Sequence, residues 1–320
     1  MGCIKPIRFS KPYRFRYQAN TKINLINNAT RTNKWSIPIK NTMTEHLNEI
    51  IEGNCVEVMK TFDSNSINLT VTSPPYDNLR TYKGYVFPFE DIAKELFRIT
   101  KEGGVVVWVV ADATIKGSET GTSFKQALYF KEVGFNLHDT MIFRKKNPIP
   151  QIYRKRYNNI FEYMFVFSKG PVKINNPIKI DCLHAGLKLN GTTYKNYSKG
   201  EQKRGKLAKP VKKQKIKGNI WEYVVGKKAE DQEAKGHPAP FPSALARDHI
   251  NSWTNKGDIV LDPMSGSGTT CKVAYQLDRN FIGIDISSEY CELARNRIKQ
   301  YQIQPTLKFE EEKEHYTKRE

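Results

Sequence analysis

The chain is expected to adopt an α/β fold built on a largely parallel sheet, and three observations carry that expectation. Short β-rich runs alternate with segments of helical spacing along most of its length. Val105 to Ala111 is apolar without interruption, as a strand buried on both faces is. Near the C-terminus, the strand-like run Ile259 to Leu261 leads through Asp262 into a glycine-rich turn and then a helical segment.

The elements follow in order. Residues 1–45 are basic, dotted with aromatics and rich in Asn, and are expected to form an arm that is flexible or faces a partner. Ile50 and Ile51 mark a short strand ending in a loop at Gly53-Asn54, and Val56, Met59 and Phe62 a short helix. Ile67 to Thr72 alternates as a strand and stops at Ser73-Pro74-Pro75-Tyr76, where two prolines cannot donate to a ladder. Phe89 to Thr100 has helical spacing, Gly103-Gly104 closes that unit, and Val105 to Val110 is a central strand. Ser123 to Val133 reads as a helix, and Thr140 to Phe143 and Glu162 to Phe167 as strands. Ser243 to Trp253 is a helix. After the glycine turn come a helix with Val273, Ala274 and Leu277, a strand from Phe281 to Ile284, a helix from Tyr290 to Tyr301 and a charged tail.

Composition narrows the function. The 320 residues suit one large domain with a smaller added region, and 38% hydrophobic content supplies a core. No apolar run approaches the length of a membrane helix, and the basic N-terminus lacks the apolar core and small-residue cleavage site of a secretory signal. A cytoplasmic protein with no membrane partner is expected. The five cysteines are scattered without a CxxC pair, and no Cys/His cluster has zinc spacing, so free thiols and no metal are expected. The net charge of +19 points to a polyanion, since neutralising phosphates releases counterions. Lysines crowd between Lys188 and Lys217, flanked by Tyr194, Tyr197 and Trp221. Such a mixture fits a DNA-contacting module, although a solvated linker has similar composition.

Two constellations carry chemistry. In Asp262-Pro263-Met264-Ser265-Gly266-Ser267-Gly268-Thr269-Thr270, the glycines let the backbone pass close to a ligand, and a helix N-terminus follows. Asp285, at the end of the next strand, can accept hydrogen bonds from two ribose hydroxyls. The pattern is not GxGxxG, and no Lys-Ser/Thr follows the glycines, which argues against dinucleotide and P-loop sites. The second constellation is Thr72 to Tyr76. A stiff loop straight after a strand, with the Ser73 hydroxyl and the Pro74 carbonyl as acceptors, can hold the hydrogens of an amino group and turn its lone pair toward an electrophile. Tyr76 can stack on an extruded base.

These motifs, in this order, resemble the β-class S-adenosylmethionine-dependent amino DNA methyltransferases of the TSPPY type, which make N4-methylcytosine. The resemblance runs from about Ile50 to Ile298 and includes Phe161-Glu162-Tyr163 with Phe165-Val166-Phe167, and His237-Pro238-Ala239-Pro240-Phe241-Pro242. It implies a Rossmann-like methyltransferase fold with circularly permuted motif order and a basic target-recognition insert. The implied layout is an arm at 1–45, a catalytic half at 46–170, target recognition at 171–235, a cofactor half at 236–305 and a tail at 306–320. Ser73, Pro74, Pro75 and Tyr76 would form the catalytic loop, with Asp112 orienting Ser73, taking up a proton or serving as a helix cap. Asn54, Cys55, His237, Pro238, Phe241, Asp262, Pro263, Ser265, Gly266, Gly268, Thr269 and Asp285 would line the S-adenosylmethionine site. Asn54-Cys55 departs from the acid the family usually has near the adenine ring. Lys146, Arg154, Lys203, Arg204, Lys212 and Lys213 are candidates to contact double-stranded DNA. The resemblance also implies a partner restriction endonuclease.

Three other readings stay open at this point. Adenine N6 enzymes usually carry Asp or Asn before Pro-Pro-Tyr, so Ser73 favours cytosine. A DNA-binding module without activity would not need Ser73, Tyr76, Gly266 and Asp285 together. An RNA or protein methyltransferase would not need the basic insert.

Overall fold

The computed structural model describes residues 43–75, 87–148, 155–187, 192–196, 202–206, 210–226 and 242–303, all within the compact unit Ile37–Glu320. Most of the expected arm and the charged tail lie outside them, as do Tyr76, Arg154, His237, Pro238 and Phe241.

A turn of 3-10 helix at Met43–His46 leads into β1 (Glu49–Glu52) and α1 (Cys55–Lys60). Then come β2 (Ile67–Thr72), α2 (Phe89–Ile99) and β3 (Thr100–Val110). A small hairpin, β4 (Thr114–Ile115) and β5 (Ser118–Glu119), precedes α3 (Thr122–Val133), β6 (Asn136–Lys145) and β7 (Phe161–Ser168). The basic region holds β8 (Lys179–Asp181), β9 (Thr192–Asn196), β10 (Gln202–Lys206), β11 (Gln214–Ile216) and β12 (Ile220–Tyr223). The chain closes with α4 (Ser243–Trp253), β13 (Ile259–Asp262), α5 (Thr269–Gln276), β14 (Asn280–Asp285) and α6 (Ser288–Ile303).

Eight strands form one sheet in the order β1-β14-β13-β2-β3-β7-β6-β12. Of these, β7 alone runs antiparallel to both neighbours, and the remaining pairings are parallel. The expected α/β class and mostly parallel sheet are therefore present. The strands alternate their apolar side chains between two cores. Val105, Val107 and Val109 of β3 pack on the face covered by α4, α5 and α6. Val106, Trp108 and Val110 pack on the face covered by α1, α2 and α3. Trp108 is fully buried there, stacks edge-on against Phe130, and gives its indole N–H to Gln126 Oε1 at 2.9 Å, so its one polar atom is satisfied.

The structure corrects several expectations. Gly103-Gly104 does not close the α2 unit. β3 begins at Thr100 and runs through both glycines, because Gly103 adopts φ 79° and takes up an irregularity in the pairing with β2. β6 is longer than Thr140 to Phe143 at both ends. Trp221 is not part of a DNA-facing rim. It is 5% exposed, lies on β12 at the sheet edge and packs its ring 4.7 Å from that of His249. His249 is wholly buried, and burial pushes its imidazole down to about 3, so it stays neutral and accepts from the Trp253 indole at 3.2 Å.

Candidate active site

The sheet order places the site. From β2 the chain proceeds outward to β3, and from β13 outward to β14 on the other side, so β2 and β13 flank the point where strand order reverses. In open α/β sheets, ligands bind beyond the carboxyl ends of the strands at that point. The Ser73-Pro74 loop leaves β2 there, and the glycine loop leaves β13 beside it. Thr72 and Pro74 are buried, and Ser73 and Pro75 are partly buried.

The glycine loop is shaped by its own residues. Gly266 (φ 50°) and Gly268 (φ 76°) both take left-handed conformations that favour glycine. A Cβ on Gly268 would lie 2.6 Å from the Cβ of Ala294, so this position also lets α5 and α6 pack closely. Ser265 N–H donates to Ile284 O at 2.8 Å, and Gly268 N–H to Ser265 O at 2.7 Å, which fixes the loop against β14. Pro263 lies within the same turn.

Two acids face this loop. Asp262 is 1% exposed, and its Oδ1 accepts from Thr72 Oγ1 at 2.7 Å and from Met264 N–H at 3.2 Å. Burial raises its carboxyl to about 6; the charge of Asp285 adds to this, and the bonds from Thr72 and Met264 N–H oppose it. Asp285 accepts from Gly266 N–H at 2.8 Å and from Ser287 N–H at 2.9 Å, and its carboxyl too is raised by burial against those bonds. Each carboxylate oxygen can accept more than one bond, so Asp285 keeps capacity for a ligand hydroxyl. Among the described residues, the buried hydroxyls of Ser265 and Thr269 have no hydrogen-bond partner. Orphaned buried hydroxyls in a loop beside two acids suit a polar ligand that carries positive charge.

Asn54 and Cys55 stand at the carboxyl end of β1, where Gly53 N–H donates to Asp285 O at 2.9 Å. Asn54 caps α1, its side chain accepting from Val56 N–H at 2.9 Å. The Cys55 thiol is pushed up to about 12 by burial, and the charge of Asp285 adds to it, so it stays protonated.

Asp112 lies just past β3 and is engaged as a cap. It accepts from Ser123 N–H at 2.9 Å, Ser123 Oγ at 2.6 Å and Thr120 Oγ1 at 3.3 Å. Gly121, at the start of α3, has no side chain to do this, so the acid supplies the cap from outside the helix. Of the roles its position allowed, the helix cap is the one these bonds express.

Of the basic candidates, Lys146, Lys212 and Lys213 are exposed, the last two beside the β8–β11 ribbon. Lys203 and Arg204 lie on β10, in register with Lys195 and Tyr194 of β9. Thr72 and Thr270, which the sequence places at the ends of the two motifs without a role of their own, join those motifs across the sheet. Thr270 Oγ1 donates to Val71 O at 3.1 Å, joining the helix after the glycine loop to β2. Among the described residues, no group of three or more His, Cys, Asp or Glu could hold a metal.

Comparison with known proteins adds the family. The family model N6_N4_Mtase, DNA methylase, matches residues 67–296. The chain belongs to this family. As a DNA methylase, it is 53% identical over 242 residues to the orphan methyltransferase M.BamHII of Bacillus amyloliquefaciens, covering 74% of this chain and 91% of that one. It is 30% identical over 285 residues to the type II methyltransferase M2.MboI of Moraxella bovis, covering 82% and 90%. Among solved structures, the PvuII DNA methyltransferase (cytosine-N4-specific) superposes with a TM-score of 0.60 at 22% identity, over 78% of this chain and 85% of that one. TTHA0409 from Thermus thermophilus, complexed with S-adenosyl-L-methionine, gives a TM-score of 0.53 at 22% identity over 81% and 97%. At these identities the two structures establish a shared fold for this DNA methylase.

Proposed function

We propose that this DNA methylase transfers a methyl group from S-adenosylmethionine to the N4 amino group of cytosine in duplex DNA. The observation that carries the reading is the pairing, at one switch point, of the Ser73-Pro74 loop with the glycine loop and its two acids. When bound, S-adenosylmethionine supplies a methyl group on a positively charged sulfur that an amine can displace directly. Asp262 and Asp285 give that side of the site its negative charge, Asp285 also has capacity for ribose hydroxyls, and Ser265 and Thr269 offer hydroxyls to its polar end. The Ser73 hydroxyl and the Pro74 carbonyl accept the amino hydrogens and aim the lone pair. A loop stiffened by Pro74 and Pro75 needs little reorganisation to do so. The family resemblance assigns Tyr76 to stacking on the extruded base and His237, Pro238 and Phe241 to the cofactor; all four lie outside the described residues.

Ser73, in the place where adenine enzymes usually carry Asp or Asn, supports cytosine over adenine. The basic segment 171–235, apart from β12, which belongs to the sheet, is assigned to DNA recognition, with Lys146, Arg154, Lys203, Arg204, Lys212 and Lys213 on phosphates or bases. The type II names of several relatives support a restriction–modification setting, with an endonuclease acting on the same site; such a setting would place the protein in the cytoplasm. The orphan name of the 53% identical relative supports a second reading, an enzyme without such a partner.

The test is nucleoside mass spectrometry of unmethylated DNA incubated with the protein and S-adenosylmethionine. N4-methylcytosine is expected. N6-methyladenine would keep the family and overturn the base assignment, and no methylated base on varied DNA would overturn the activity.

A further inference from the structure

We propose that Thr72 and Thr270 are positioning residues that set the spacing between the substrate loop and the cofactor loop. The inference rests on the methyl-transfer reading above. It starts from where the sheet splits. β2 and β13 pair only through Leu69 with Val260 and Thr70 with Leu261. On its other side, β2 stays paired with β3 up to Thr72 opposite Trp108. The end of β2 is therefore anchored to β3 by backbone, while toward β13 the ladder has already stopped.

Two side-chain bonds bridge the opening. Thr72 Oγ1 donates to Asp262 Oδ1 at 2.7 Å, and Thr270 Oγ1 donates to Val71 O at 3.1 Å. They run in opposite directions: the first from the substrate side to the cofactor side, the second back again. Thr72 directly precedes Ser73, and Thr270 lies in the first turn of α5, directly after the glycine loop. Thr72 and Thr270 are fully buried and Asp262 is 1% exposed, so water does not compete for these bonds. The Asp262 oxygen that takes the Thr72 hydroxyl also takes Met264 N–H, so one atom ties the start of the glycine loop to the residue before Ser73.

The chemistry makes that spacing matter. Direct methyl transfer needs the amine and the methyl carbon in line and about 3–3.5 Å apart, and a misplacement of about 1 Å costs on the order of 100-fold. Threonine suits the task because its β-branched side chain is stiff at χ1. Valine in its place keeps the shape and loses the donor.

The experiment compares the full-length wild type with Thr72→Val, Thr72→Ser and Thr270→Val. It measures kcat and KM for methyl transfer to DNA with labelled S-adenosylmethionine, and binding of S-adenosylhomocysteine by calorimetry. Thr72→Val and Thr270→Val are expected to lose about 10- to 100-fold in kcat, with KM for DNA and S-adenosylhomocysteine binding essentially unchanged. Thr72→Ser, which keeps the hydroxyl, is expected to recover most of the rate. The inference is overturned if Thr72→Val turns over like the wild type. It is equally overturned if S-adenosylhomocysteine binding falls in step with kcat, or if Thr72→Ser is as poor as Thr72→Val, since either marks general damage to the fold. An inactive wild type overturns the methyl-transfer reading as well, whereas an active wild type with an unimpaired valine variant overturns this inference alone.

Discussion

Gly268→Ala tests the architecture of the glycine loop against a built-in control. At φ 76° an alanine pays for the left-handed region, about 1–2 kcal/mol. Its new methyl group would also lie 2.6 Å from Ala294 Cβ and 3.2 Å from Ala294 Cα. Neither atom is the end of a flexible side chain, so α6 must move; overpacking of this kind costs about 1–3 kcal/mol. The sum is a loss of roughly 2–5 kcal/mol. Gly257 is the control. It has φ 81°, but a Cβ there meets nothing within 4 Å. Gly257→Ala should therefore lose only the conformational part, about 1–2 kcal/mol. Equilibrium urea unfolding of the two variants gives the difference directly. S-adenosylhomocysteine binding should weaken in Gly268→Ala and hold in Gly257→Ala, because only the first shifts the loop against α6. If the two variants lose the same stability, the close approach of α5 and α6 does not constrain the loop and the reasoning fails.

Two further outcomes are expected. Asp262, held at about 6 by burial against an ordinary 3.8, binds its proton more tightly when folded, so its contribution favours folding below about pH 4 and is lost as pH rises through 6. Asp262→Asn, which stays neutral, should therefore gain on the wild type by about 2 kcal/mol between pH 4 and pH 7; unfolding curves across that range check this, and a pH-independent difference would contradict it. Replacing Lys212 and Lys213 with Ala should flatten the dependence of log DNA affinity on log salt by about 0.9 for each lysine that contacts a phosphate. An unchanged slope would remove this ribbon from the DNA interface.

Much of the sheet was legible because local chemistry enforces its elements. β2 ends where expected because Pro74-Pro75 cannot extend a ladder, and α4 spans the expected Ser243 to Trp253. The glycine loop and Asp285 were legible for a similar reason, since a strand, a tight turn and a helix are contiguous in sequence. What escaped was tertiary. In Ile220-Trp221-Glu222-Tyr223 the structure buries Trp221 and Tyr223 and exposes Ile220 and Glu222, so an apolar residue on the exposed face blurs the alternation. That period-two signal is only four residues long and follows a dense run of lysines, whose charge dominated the reading. The cap supplied by Asp112 was one of several roles left open, because the acid stands well before the helix it serves, outside the usual capping spacing. Thr72 and Thr270 stand at the ends of the two motifs, but nothing local shows what their hydroxyls bond to. Their hydroxyls matter only because β2 and β13, far apart in sequence, become neighbours.

The basic ribbon leaves and rejoins the fold at nearly the same point. Lys217 N–H donates to Ile178 O at 2.9 Å, the next pair outward is Lys179 with Ile216, and Asn176 N–H anchors the base to Ser252 O at 2.8 Å. Everything between is a closed excursion from an already ordered base. Lengthening such a loop is cheap, about 0.6 kcal/mol for each doubling. The length and content of this segment can therefore change without disturbing the sheet behind it, so, if the segment reads DNA as proposed, one scaffold can be fitted to many sequences by exchange of one appendage.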